Sequence, residues 1–164
     1  MTNIGHRIAR RTVLKSAGLS LGAGLVSGLA SAQDRESTQI ASLAGEILSS
    51  EYWADKGNVK LNLWRKRIGT PTPGEQPLPV LFMVHGSSNS ARSSVDLHVP
   101  GKGEYSLMNV MARHGYDVWT VDHDGYGSSG NNSDIASGVE DLKVAMPIVL
   151  AETAQKRVLC YGSS

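Results

Sequence analysis

Val80-Leu81-Phe82-Met83-Val84 is an unbroken apolar run that leads directly into His85-Gly86. A strand with apolar residues on both faces is typical of the centre of a parallel sheet, where helices cover the sheet on both sides. The preceding segment, residues 70–79, holds four prolines and is typical of a connector. The run therefore predicts a central strand of an α/β fold.

Segments with strand or helix periodicity lie on both sides of this run. Upstream, alternating apolar residues flank the turn residues Lys56-Gly57-Asn58 and predict a β-hairpin. The predicted elements are strands over 51–55, 59–68, 116–121 and 157–161 and helices over 105–114 and 133–153. Residues 51–164 are thus expected to form a partial α/β domain, with a hairpin followed by mostly parallel strands and helices on both faces.

Three local features within these elements lead to further predictions. Pro147 should kink or end the second helix, because proline lacks the backbone donor and clashes with the preceding turn. Arg65-Lys66-Arg67 predicts the solvent-exposed end of an edge strand. Cys160, inside the last apolar strand, is expected to be buried and inert.

Three segments that could carry chemistry come directly after predicted strands. They are His85-Gly86-Ser87, the glycine-rich stretch 122–129, and Gly162-Ser163-Ser164. Open α/β sheets bind ligands at the carboxyl ends of their strands, so these segments should lie close together. Asp122, His123 and Asp124 could be metal ligands, but three adjacent residues rarely converge on one ion, which favours a hydrogen-bonded turn.

In order and spacing, these segments resemble the α/β-hydrolase fold over residues 51–164. The resemblance implies a sheet truncated after its fifth strand, with Gly162-Ser163-Ser164 as the start of the turn that carries the nucleophile. It makes Ser164 the nucleophile and the backbone N–H of Ser87 an oxyanion donor, on a turn formed by His85 and Gly86. One departure is Asp124, which stands where this family usually has arginine.

In this family the catalytic acid and histidine follow the serine. All five histidines here precede Ser164: His6, His85, His98, His114 and His123. The resemblance therefore places both partners beyond residue 164, and the chain as given is expected to be inactive. It implies an acyl-ester hydrolase with no cofactor or metal, acting on a small-molecule acyl substrate. A proline-iminopeptidase-like peptidase and a non-catalytic remnant or binding module stay open as alternatives.

The N-terminal residues predict an export signal. Arg10-Arg11 precedes an uncharged run from Ser16 to Gln33 that ends in the small-x-small pattern Ala30-Ser31-Ala32. This resembles a twin-arginine signal over residues 1–32, which implies the twin-arginine export machinery as a partner, no membrane anchor after cleavage, and a periplasmic or secreted product. Residues 33–50 are expected to be a loosely packed segment with a weak helical pattern.

Charge argues against one class of partner. The whole chain carries 16 Lys and Arg against 15 Asp and Glu, but residues 1–32 hold four of the basic side chains and no acid. The remainder is therefore mildly acidic. Without a basic stripe to neutralise phosphates, nucleic acid is not an expected partner.

Overall fold

The computed structural model describes residues 11–12, 45–130 and 135–164. Most of the expected signal (1–32) and of the segment 33–50 lies outside the described residues. Within the described ranges, the strands are β1 (Arg11–Thr12), β2 (Ile47–Lys56), β3 (Val59–Ile68), β4 (Val80–Val84), β5 (Asp117–Val121) and β6 (Leu159–Gly162). The helices are α1 (Ala91–Val95), α2 (Leu107–Arg113) and α3 (Ile135–Thr153).

The strands form one mixed sheet in the order β1-β2-β3-β5-β4-β6. β1, β2, β3 and β5 pair antiparallel in succession, whereas β5, β4 and β6 are parallel. The α/β fold class and the hairpin are therefore confirmed. β2 starts at Ile47 rather than at Glu51. The loosely packed, weakly helical segment expected over residues 33–50 is therefore wrong for residues 47–50, which form a strand. Those residues continue the ladder, in which Ile47 pairs with Ile68.

Helices cover both faces of β4, as its apolar composition predicts. Val80 and Phe82 belong to a buried cluster that includes Ala145 and Val149 of α3. Leu81 and Met83 belong to a second cluster with Met108 and Ala112 of α2. Side chains alternate between the faces of a strand, so β4 joins the two halves of the core.

The two longer helices lie within the ranges that the sequence predicts, 105–114 and 133–153. Ser106 caps α2, because its hydroxyl accepts a 3.0 Å hydrogen bond from the backbone N–H of Asn109. Gly115 follows this helix with a φ of 87°, a left-handed conformation that suits glycine. Pro147 lies inside α3 and does not end it. Among the described residues, no helix is both long and apolar enough to cross a membrane.

The basic triplet of β3 is not at a solvent-exposed edge, so that prediction is wrong. β3 lies between β2 and β5, and Arg65 and Arg67 are buried. Arg65 donates to both carboxylate oxygens of Asp117, at 2.9 and 2.5 Å, and Arg67 pairs with Glu75 at 2.7 Å. Burial opposes the charge of Arg65, but the hydrogen bonds and charge of Asp117 outweigh it and raise the pKa of the guanidinium.

The expected burial of Cys160 is also wrong. Within the described part of the chain, β6 pairs with β4 on one side only, and all four residues of β6 are exposed. Cys160 is a free, exposed cysteine. Apolar composition alone did not distinguish this strand from the buried strand β4.

We expect Asp117→Asn to destabilise the fold by about 3 kcal/mol, because it removes the carboxylate that is hydrogen-bonded to the buried guanidinium of Arg65 and leaves only the more distant Glu152, at 3.8 Å. Urea unfolding of the protein expressed from its complete reading frame measures the loss. The control is Glu140→Gln, which removes an exposed pair with Lys143 and should cost less than about 0.5 kcal/mol. Equal effects of the two substitutions would contradict the importance assigned to the buried pair.

Candidate active site

The three predicted segments meet at the carboxyl end of the parallel strands. Val84, the last residue of β4, pairs with Val121 of β5 and with Gly162 of β6. The chain therefore leaves all three strands at the same edge of the sheet. This brings together the turn at His85-Gly86, the glycine-rich turn and Ser164, as the sequence predicts.

Ser164 lies directly against the turn that follows β4. The backbone N–H of Ser163 donates to the carbonyl of Val84 at 3.1 Å, which continues the ladder between the two strands. A Cβ added to Gly86 would lie 2.9 Å from the Cα and 3.0 Å from the carbonyl carbon of Ser164. Glycine is therefore required at position 86 for this approach of two backbones.

His85 is buried at the end of β4, and both of its ring nitrogens have partners. Its Nε2 lies 3.1 Å from the backbone nitrogen of His123, which can only donate. Nε2 must therefore be the unprotonated nitrogen, and Nδ1 carries the proton that it donates to the carbonyl of Gly86 at 2.8 Å. Burial lowers the pKa of the His85 imidazole and favours this neutral form.

The hydrogen bond from His85 bears on the orientation of Ser87. The carbonyl of Gly86 and the N–H of Ser87 belong to one peptide unit, and no described peptide bond is cis. In a trans unit the two groups point in opposite directions. By holding the carbonyl, His85 fixes the direction of the Ser87 N–H, the group that the resemblance names as an oxyanion donor.

The stretch 122–129 is a hydrogen-bonded turn. The Asp122 carboxylate accepts hydrogen bonds from the backbone N–H groups of Ala91, at 2.8 Å, and Ser128, at 3.1 Å. Gly127 has a φ of 52°, and a side chain there would overlap the Asp122 carboxylate. These contacts favour the turn interpretation over the metal-ligand one. Within the described ranges, no group of three or more His, Cys, Asp or Glu could hold a metal ion.

A buried carboxylate behind the site was missed by sequence reasoning. Asp141 of α3 is fully buried and contacts the Nζ of Lys56 at 2.6 Å, the Nδ1 of His123 at 2.9 Å and the backbone N–H of Asp124 at 3.0 Å. Burial opposes its charge, but these donors outweigh it and lower the pKa of Asp141. Its partners lie 17 to 85 residues away in sequence, so no local pattern could have identified them.

The lowered pKa of His85 predicts a pH dependence of stability. Because the unfolded state binds a proton near pH 6.5 and the folded site resists it, the free energy of unfolding should fall as pH decreases through 6.5. His85→Gln removes this titrating group, so the free energy of unfolding of the variant should fall less between pH 7.5 and 5 than that of the wild type. Denaturant unfolding at several pH values tests this. The exposed residue His98 supplies the control, His98→Gln, and identical pH profiles for both variants would contradict the assignment.

The solved structures with a similar fold include two esterases. Est1E from Butyrivibrio proteoclasticus, solved with ferulic acid bound, is 14% identical with a TM-score of 0.51, over 68% of this chain and 42% of that chain. The acetyl xylan esterase from Paenibacillus sp. R4 is 19% identical with a TM-score of 0.51, over 72% of this chain and 42% of that chain. At these identities the similarity establishes the fold alone.

The chain spans about half or less of the length of the solved chains it resembles. No family model matches the sequence, and no curated protein matches it. The mixed sheet, the helices on both faces and the structural similarity agree with one another. The described residues have the fold of part of an α/β-hydrolase domain.

Proposed function

We propose that this chain forms the nucleophile-bearing part of a serine hydrolase that cleaves carboxylic esters through an acyl-enzyme on Ser164. The close approach of Ser164 to Gly86 is the observation that carries the proposal. It brings the serine beside the peptide unit whose N–H belongs to Ser87. A nucleophile and a preorganised donor next to each other are what acyl transfer requires.

The reaction would proceed in two steps. The Oγ of Ser164 attacks the ester carbonyl carbon, its proton passes to a general base, and the carbonyl oxygen becomes an oxyanion that accepts a hydrogen bond from the Ser87 N–H. The intermediate expels the alcohol, which takes up the proton from the base. Water then attacks the acyl-enzyme in the same way and releases the acid and free Ser164.

As part of this proposal, we assign the general base to residues beyond Ser164. His85 is unsuitable, because its two nitrogens are engaged by Gly86 and by the His123 backbone. The Nδ1 of His123 contacts Asp141 behind the site. The α/β-hydrolase order Ser, acid, His agrees with this assignment. The choice of esters is supported by the esterases that share the fold.

Ser164→Ala in the protein expressed from the complete reading frame is expected to lower the kcat for a p-nitrophenyl ester by at least about 10³-fold, because it removes the nucleophile. The neighbouring serine supplies a matched control, and Ser163→Ala should stay within a few-fold of wild type. Unchanged turnover in Ser164→Ala would exclude the proposed mechanism. Absence of ester hydrolysis in the wild-type protein would favour the peptidase or the non-catalytic alternative.

We also propose that the product is exported through the twin-arginine route and acts in the periplasm or outside the cell. The support is the sequence pattern around Arg10-Arg11. Replacing both residues, by Arg10→Lys and Arg11→Lys, should leave the precursor in the cytoplasm of a bacterial host. Fractionation followed by immunoblotting measures its distribution. Arg7→Lys is the control, and normal export of the double variant would refute the route.

A further inference from the structure

Tyr126 contacts the same turn from the other side. It lies on the glycine-rich turn after β5, and its hydroxyl donates a 2.6 Å hydrogen bond to the backbone carbonyl of Ser87. Its ring also meets the ring of His85 edge to face, with centroids 5.1 Å apart. Tyr126 therefore contacts both the turn and the histidine that orients it.

The two aromatic side chains hold consecutive peptide units. His85 donates to the carbonyl of Gly86, and Tyr126 donates to the carbonyl of Ser87. The N–H of Ser87 lies between these two carbonyls along the chain. His85 restrains the peptide unit before the Ser87 Cα, which carries the donor N–H, and Tyr126 restrains the unit after it, so the turn is held on both sides of that atom. The exposed residues Ser87 and Ser88 bury no apolar surface that would hold the turn instead.

The turn that carries Tyr126 is itself held firmly. The backbone N–H of Tyr126 donates to the carbonyl of His123, and its carbonyl accepts from the N–H of Ser129, each at 2.9 Å. The Asp122 carboxylate joins this turn to the start of α1 through Ser128 and Ala91. A hydroxyl presented by such a turn can restrain a neighbouring segment without losing much entropy of its own.

We infer that Tyr126 is a positioning residue for the oxyanion donor of this site, an inference that rests on the proposed function. Its hydroxyl does not touch the reacting atoms. It acts through the peptide unit that follows Ser87 and keeps the donor aligned before the substrate arrives. Preorganised donors stabilise the transition state effectively, because they need no reorientation when the negative charge develops on the oxygen.

The test is Tyr126→Phe in the protein expressed from the complete reading frame, which removes the hydroxyl and keeps the ring. Removing an oxyanion donor outright costs roughly 10²- to 10³-fold in kcat, so loosening one should cost about tenfold. KM should change less than about twofold, because the substrate is not contacted. Inhibition by phenylboronic acid, which forms a tetrahedral adduct with the serine, should weaken by about the same tenfold.

The exposed residue Tyr105 provides the matched control, because Tyr105→Phe removes the hydroxyl of a tyrosine that belongs to neither turn. It should leave kcat, KM and boronate inhibition unchanged. Wild-type kcat in Tyr126→Phe, a raised KM with unchanged kcat, or loss of the cooperative unfolding transition would each overturn the positioning role. Ser164→Ala separates the two proposals: if it abolishes turnover while Tyr126→Phe does not reduce kcat, only the role of Tyr126 fails.

Discussion

The parallel pairing of β4 with both of its neighbours is the constraint on which the rest of the structure depends. Because β5 and β6 run in the same direction as β4, the chain emerges from all three at one edge of the sheet. Apolar residues on both faces of β4 hold this arrangement, since helices on the two sides bury them. A short turn at each strand end is then enough to bring distant segments into contact.

Composition and periodicity predicted the parts of the fold that depend on local order. The run at Val80–Val84, the hairpin and the helix capped by Ser106 were predictable because their apolar spacing and turn residues lie close together in sequence. The basic triplet of β3 was not, because the anions that neutralise Arg65 and Arg67 lie elsewhere in the chain. A charged run gives no information about partners that a neighbouring strand or the connector supplies.

The same limit applies to the candidate site. Its location followed from three strand ends, and its glycines followed from the tight turns that they require. The hydrogen bond from the His123 N–H that fixes the tautomer of His85, and the contact of Tyr126 with Ser87, span 38 and 39 residues. A tyrosine between two glycines gives no indication of which carbonyl its hydroxyl will reach.

The buried carboxylate of Asp141 has a consequence for protein engineering. It binds the hairpin through Lys56, the glycine-rich turn through Asp124 and His123, and it belongs to the long helix. A helix transplanted from this protein to another sheet would bring a buried carboxylate without Lys56 and its other hydrogen-bond donors, and the cost of desolvating that charge would fall on the chimera. These three elements therefore constitute a single module, which should be exchanged or redesigned as a unit.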